Sequence, residues 1–128
     1  MKIIKIFGLF ALLITIGSCN KDDGLTQEQE SQYLNELFSE IQNLSASISC
    51  ENSTEWDFTS YGNKACGGSV GFIAYSINID VELFLKKIEE HRISQQEFNK
   101  KWGIFSDCSV PPQPTGVICE NGNPVFEY

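Results

Sequence analysis

Cysteine is the residue type in this chain whose number and spacing say most about its chemistry. The sequence of 128 residues contains five of them, at Cys19, Cys50, Cys66, Cys108 and Cys119. Thiols cross-link secreted proteins, ligate metals, or act as nucleophiles beside a base. The chain has no Cys-x-x-Cys pair, and its single histidine, His91, is distant in sequence from every cysteine. We therefore expect no metal site, no cofactor and no catalytic thiol.

The first cysteine ends a leader of secretory type. Two lysines precede an apolar stretch over residues 6–16, which is shorter than the roughly 20 residues that a membrane-spanning helix needs. Residues 16–19, Ile-Gly-Ser-Cys, resemble a bacterial lipobox, in which the cysteine receives diacylglyceride before signal peptidase cuts ahead of it. The resemblance implies a signal peptide at residues 1–18 and a lipidated Cys19 that anchors the mature chain to a membrane.

The residues after this cysteine predict where the anchor lies. Asn-Lys-Asp-Asp at residues 20–23 resembles the signal that carries lipoproteins to the outer leaflet in some Gram-negative lineages. We therefore expect a tether over residues 19–25 and a domain that faces outward from the outer membrane, with the periplasmic face as the alternative. A solvated polar linker would have the same composition.

Removal of the leader makes the chain more acidic. The whole sequence carries 9 basic and 17 acidic residues, a formal charge of -8. The leader contains two of the lysines and no acid, so the mature chain has 7 basic residues against 17 acidic, or -10. Nucleic acids and anionic membrane surfaces are bound by basic faces, so this balance argues against both as direct partners. A lipid anchor needs no basic face, and a protein partner is compatible with the charge.

The remaining four cysteines predict two disulfides, for which three pairings exist. A strand predicted over residues 56–61 separates Cys50 from Cys66 by about 20 Å, whereas bridged Cα atoms lie roughly 4 to 7 Å apart. This disfavours a bond between those two and, with it, the bond from Cys108 to Cys119. Of the remaining pairings we favour Cys50 with Cys119 and Cys66 with Cys108, and the alternative exchanges the partners.

Helices must position these cysteines. A capping box at Thr26, before apolar residues at helical spacing, predicts a helix to about residue 47. A second helical region begins with Asp80 as its N-cap and ends at Gly103. A further capping box at Ser94 interrupts that region, so we expect a pair of helices there.

Four strands complete the predicted domain. Alternating apolar and polar residues predict strands over residues 56–61, 71–76, 116–120 and 124–128. Asn-Gly at residues 121–122 marks a hairpin, whose loop we expect to exceed two residues because Asn-Pro follows. The prediction is one α+β domain over residues 26–128, with a small antiparallel sheet of about four strands packed with an N-terminal helix and a central helix pair, and held by two disulfides.

Three further features offer candidate functions. Lys64, Gly67 and Gly68 form a possible binding loop within residues 62–69, and the alternative is a bulged turn that places the neighbouring cysteine in its bridge. His91 is expected at the surface near a helix C-terminus, where a cation is favoured, with a general base as the alternative. The first helix carries an acidic stripe, expected to be a solvated surface rather than a docking face: Glu28, Glu30, Glu36 and Glu40.

Short motifs resemble those of four-cysteine lipoprotein ectodomains. The motifs include Ala-Cys-Gly-Gly at residues 65–68, Ser-Asp-Cys at 106–108 and Cys-Glu-Asn-Gly at 119–122. The resemblance implies a location and a cysteine framework, and no catalytic residues. We expect a lipid-anchored, non-enzymatic binding protein. The alternatives are an inhibitor of a cationic host or competitor enzyme, such as a lysozyme or protease, and, less favoured, a small hydrolase with a pocket around His91.

Overall fold

The computed structural model describes residues 24–128, so the expected signal peptide, Cys19 and all but the end of the tether lie outside the described residues. The elements are α1 (Gln27–Ser45), β1 (Trp56–Tyr61), β2 (Gly71–Ser76), α2 (Val81–Trp102), β3 (Gly116–Glu120) and β4 (Asn123–Glu127), with a 3-10 turn at Ser53–Glu55. In this part of the chain, no helix is both long and apolar enough to cross a membrane.

The first helix, α1, begins where the sequence predicts. The Thr26 hydroxyl accepts the backbone N–H of Gln29 at 3.2 Å, and the Gln29 side chain accepts the N–H of Thr26 at 2.9 Å. This capping box satisfies two amides that the first turn leaves without helical partners. One face of α1 then buries Leu34, Leu37 and Ile41 against α2 and β2.

The second helix, α2, is continuous, so the predicted pair of helices is wrong. Its ends follow the sequence, because Asp80 caps the first turn and Gly103, at φ 60°, closes the last in the left-handed region. Ser94 lies inside the helix despite its capping signal. Tertiary contacts hold the second half in line: the Asn99 side chain donates to the carbonyl oxygen of Asn63 at 2.7 Å.

The four strands form two separate antiparallel hairpins rather than one sheet. β1 pairs with β2 in the register Trp56 to Ser76, and β3 pairs with β4 in the register Gly116 to Glu127. The first hairpin is covered on both faces, since Tyr61 packs toward the helices and Trp56 toward the second hairpin. Two hairpins stacked face to face bury the same apolar residues as the four strands would in a single sheet. The alternation of apolar and polar residues therefore does not distinguish the two arrangements.

The turn of the second hairpin is shorter than predicted. Glu120 pairs with Asn123, which leaves only Asn121 and Gly122 between the strands. Their φ values of 50° and 78° are both positive, the geometry of a type I′ turn that Asn-Gly favours. The following Pro124 is accommodated because a two-stranded sheet contains only edge strands.

The core consists of two clusters on opposite faces of the first hairpin. The cluster under the helices contains Ile41, Tyr75, Phe84 and Ile88. The cluster between the hairpins contains Cys50, Trp56, Ala74 and Val117. The domain is therefore an α+β arrangement of three layers, in which helices, first hairpin and second hairpin follow one another.

Candidate functional site: the clamped loop

One cysteine pair is bonded, with Cys50 buried and Cys119 partly buried. Cys50 and Cys119, 69 residues apart in sequence, form a disulfide with their Cα atoms 5.2 Å apart. Cys50 is 1% exposed, and its N–H donates to the carbonyl oxygen of Gly122 at 2.8 Å. This is the favoured partner for Cys50, and it ties the segment after α1 to β3. For a closed loop of this length, the chain-entropy model gives a stabilisation of about 4 kcal/mol.

The other cysteine pair is exposed, and its two thiols lie in contact without a bond. The structure therefore brings Cys66 and Cys108 together as predicted, but the second predicted disulfide is not formed in it. A hydrogen bond from the Cys108 thiol lowers the pKa of Cys66, and the same interaction raises the pKa of Cys108. The Cys66 sulfur also lies 3.1 Å from the carbonyl oxygen of Asp107.

Lys64 holds the exposed pair in place. Its ammonium donates to Asp107 Oδ1 at 2.6 Å, and to the carbonyl oxygen and hydroxyl of Ser109 at 2.8 and 3.1 Å. The bond from Lys64 holds the pKa of Asp107 below its usual value. Because the Lys64 side chain is only 14% exposed, its charge serves an internal clamp instead of the binding loop considered from sequence.

The glycines of that predicted binding loop belong to a tight turn. Gly67 and Gly68 have φ values of 93° and 82°. The amide of Lys64 donates to the carbonyl oxygen of Gly68, and the amide of Gly67 donates to the carbonyl oxygen of Lys64, both at 2.9 Å. These bonds favour the alternative interpretation, in which the glycines make a turn that presents Cys66 to Cys108.

The loop over residues 104–113, called here the clamped loop, displays the most exposed apolar side chains of the described residues. Phe105 is 97% exposed and Val110 is 89% exposed. Within residues 105–113, no backbone amide donates to a backbone carbonyl. The loop is held at its middle by Lys64 and at its start by a hydrogen bond from the Ile104 amide to Asn99; the next backbone bond after it is made by Thr115. The sequence pattern did not predict this loop as a site, although Phe105, an apolar residue just beyond a helix end, was the available signal.

His91 is buried, so the prediction of a surface histidine is wrong. It is 5% exposed, and its ring centroid lies 5.3 Å from that of Phe38 on α1. Because α2 continues to residue 102, this histidine lies well inside the helix and faces α1 rather than the solvent at a helix end. Burial lowers the pKa of His91, which favours the neutral imidazole.

His91 lines a cavity of about 370 Å³ between α1 and α2. A hydrolytic base needs hydrogen bonds both to a nucleophile and to a group that orients it. Ser31 lines the same cavity, but no described residue forms a hydrogen bond with the imidazole of His91, and no carboxylate lines this space. The arrangement therefore provides a recess with apolar and amide walls but without the pairing on which the hydrolase hypothesis depends.

The acidic stripe on α1 is partly used to join the helices. Glu40 pairs with Lys87 at 2.5 Å, and Glu30 pairs with Lys101 and accepts the indole N–H of Trp102 at 2.7 Å. The contacts with Lys101 and then Trp102 lower the pKa of Glu30. Two members of the stripe thus contact α2, while Glu28, Glu36 and Glu40 are exposed, as expected for a solvated surface. Among residues 24–128, no cluster of histidine, cysteine and carboxylate side chains is arranged to hold a metal ion.

Comparison with known proteins finds no matching family model, no matching curated protein and no matching solved structure. The clamped loop and the two cysteine pairs are therefore the features of the described residues that bear on function.

Proposed function

We propose that this chain is a lipid-anchored outer-membrane protein whose domain, residues 26–128, is a non-enzymatic binding module that faces outward. The buried bond between Cys50 and Cys119 is the observation that carries the proposal, because such bonds persist in secreted and envelope compartments and are rare in the cytosol. The leader and the lipobox ending at Cys19 supply the route to that compartment. The periplasmic face of the membrane is the alternative location.

In the mature protein, Cys66 and Cys108 form the second disulfide. Oxidation transfers two electrons and two protons from the thiols to an exchanging disulfide of an oxidoreductase, which becomes a dithiol. The lowered pKa of Cys66 makes it the attacking thiolate in the first exchange, and Cys108 then displaces the oxidoreductase. Little movement is required because the thiols are already in contact and exposed.

Recognition of a partner belongs to the clamped loop. Its free backbone amides and its two exposed apolar side chains, Phe105 and Val110, are the groups that an extended peptide offers to a protein groove. The Lys64 clamp and the prolines restrict the loop before binding, which reduces the entropy lost on association. The partner is therefore expected to be a protein with apolar pockets and exposed backbone groups.

The anchor is tested by inhibiting lipoprotein signal peptidase with globomycin. We expect the precursor to accumulate in treated cells and the Cys19→Ala variant to leave the membrane fraction or remain unprocessed. A precursor that is processed normally, together with a variant that stays anchored, would refute the lipoprotein assignment. Protease shaving of intact cells separates the two locations, because an outward-facing domain is cut before the envelope is opened.

The loop is tested by comparing surface substitutions of similar size. Partners captured by the wild-type chain should be lost with Phe105→Ser combined with Val110→Ser. They should be retained with Ile77→Ser, which changes an apolar side chain that is 54% exposed outside the loop. Equal capture by both variants would place recognition elsewhere on the domain.

Inhibition of a cationic enzyme is the second candidate, favoured by the acidity of the mature chain together with the peptide-like loop. An acidic domain is steered toward a basic enzyme, and this attraction weakens as salt rises. Titration against a cationic lysozyme and a chymotrypsin-type protease should show salt-sensitive inhibition of one of them, lost in the Phe105→Ser variant. If neither enzyme is bound at low salt, inhibition of these two classes is refuted.

A further inference from the structure

We propose that the cavity beside His91 binds a small, uncharged, planar aromatic molecule whose edge carries both a hydrogen-bond donor and an acceptor. This site is separate from the groups that the clamped loop displays. Its central feature is His91 Nδ1, the one buried side-chain nitrogen or oxygen that lacks a hydrogen-bond partner among the described residues. Buried polar atoms in folded proteins are normally paired with protein, water or a ligand, so an imidazole with an unpaired nitrogen on the wall of a cavity points to a group bound in that cavity.

Aromatic rings give the cavity its preference for a flat molecule. The Phe38 ring centroid lies 5.3 Å from the imidazole of His91 and 4.8 Å from the ring of Tyr61, against which it is stacked. Phe98 lines the same space from α2. A planar ligand can pack against these rings in the offset or edge arrangements that aromatic pairs favour. The volume of about 370 Å³ is at the small end of the range for small-molecule sites.

Two amide side chains supply the cavity with both a hydrogen-bond donor and a hydrogen-bond acceptor. Gln95 Oε1 accepts the amide N–H of Asn63 at 2.6 Å, and Asn99 Nδ2 donates to the carbonyl oxygen of Asn63 at 2.7 Å. Each amide has one polar group engaged with Asn63 and one group left for a ligand. The Gln95 side-chain N–H group can donate, and the Asn99 side-chain oxygen can accept. Both residues line the cavity beside His91.

The residues that line the cavity favour a ligand without charge. No lysine, arginine, aspartate or glutamate lines this cavity, and burial favours the neutral form of His91. A charged ligand would lose its hydration without gaining an ionic partner, so an uncharged one is favoured. Ile104, at the start of the clamped loop, contributes to the wall, and exposed Asn35 lies at the mouth.

The test uses the full-length chain in detergent micelles with three probes. Adenine is planar and has donors and acceptors, indole is planar but has only a donor, and cyclohexanol has a hydroxyl but is not planar. Because His91 is the only histidine, its imidazole signals in nitrogen-15 spectra need no assignment. We expect adenine to shift those signals saturably, and the other two probes to bind at least tenfold more weakly by calorimetry.

Two substitutions on the same helix provide the control. Asn35→Phe fills the mouth of the cavity and should weaken adenine binding at least tenfold, whereas Asn43→Phe makes the same change at an exposed position outside the cavity and should leave it unchanged. His91→Phe, which removes the nitrogen but keeps an aromatic ring, should also weaken binding. Unshifted imidazole signals at adenine saturation, or equal binding by the Asn35 and Asn43 variants, would overturn the assignment, as would a cavity that holds only water.

Discussion

The two cysteine pairs lie in regions built in different ways. Cys50 and Cys119 belong to a tightly packed apolar cluster between the hairpins, where their bond closes a long loop. Cys66 and Cys108 are exposed beside a lysine clamp, next to cavities lined by amide side chains and by His91. The first region contributes stability through apolar burial and a covalent bond. The second depends on polar contacts and holds a surface loop in one position.

This contrast indicates that one region stabilises the fold and the other presents the groups proposed for function. A bond inside a core cannot be reached by solvent thiols without unfolding, whereas an exposed one exchanges readily. The clamped loop places its apolar side chains outward while its middle is held by Lys64. Because the region around Cys50 and Cys119 stabilises the domain, the clamped loop can be held at the surface without contributing to the core.

The largest effect is expected from removing the buried bond. Cys50→Ala combined with Cys119→Ala should lower the free energy of unfolding by about 5 kcal/mol, of which about 4 comes from loop closure and about 1 from the lost packing of the buried sulfurs. That is comparable to the whole stability of a small domain. Urea denaturation followed by tryptophan fluorescence measures the free energy of unfolding. A smaller loss of that free energy than the loss on removing the exposed pair would contradict this ranking of the two bonds.

A smaller effect is expected from removing the exposed pair. Cys66→Ser combined with Cys108→Ser should cost about 4 kcal/mol, because the loop-closure contribution is lost but no core packing is disturbed. The same denaturation experiment applies, on protein oxidised before measurement. If the substitutions leave the unfolding free energy unchanged, the second disulfide does not form.

A further effect is expected from pH, which should change stability through His91 in the cavity between the helices and not through the bond between Cys50 and Cys119. The pKa of His91 is lowered below its unfolded value of 6.5 by burial. Both states are neutral above that value, whereas below it the unfolded chain binds the proton first, so stability should fall by up to about 1.4 kcal/mol per pH unit. Tyr61 is the other titratable group lining the cavity. His91→Phe should remove the decline between pH 7 and 5, and an unchanged decline would show that other groups cause it.

The smallest effect on global stability is expected from the lysine clamp. Lys64→Met keeps the length and apolar stem of the side chain and removes its three hydrogen bonds to Asp107 and Ser109. We expect almost unchanged global unfolding and a several-fold faster chymotrypsin cut after Phe105, because local opening of the loop becomes easier. Lys86→Met, on the exposed face of α2, is the matched control and should cut at the wild-type rate. Equal rates for both would mean that Lys64 does not restrain the loop.

Features with a local physical cause could be predicted from the sequence. The Thr26 capping box, the strands β1 and β2 and the helix end at Gly103 each depend on neighbouring residues, and the structure contains them where predicted. The class of fold and the favoured partner of Cys50 also agree, although strand length excludes only Cys66 and does not decide between Cys108 and Cys119.

Features decided by tertiary contacts could not. The capping signal at Ser94 is overridden by contacts of α2 with the turn after β1, and the same continuous helix carries His91 into the interior. The division into two hairpins depends on which apolar face is covered, which alternation leaves open. The role of Lys64 required knowing that Asp107 lies opposite it across a long stretch of chain.

Peptide mapping of the mature protein, isolated from the cell envelope with its free thiols blocked, tests the account most directly. We predict an acylated Cys19, one bond between Cys50 and Cys119, and a second between Cys66 and Cys108 that is reduced first as dithiothreitol is raised. Blocked free thiols at Cys66 and Cys108, or a buried bond that reduces before the exposed one, would contradict the division between a bond that holds the fold and a bond that holds the loop.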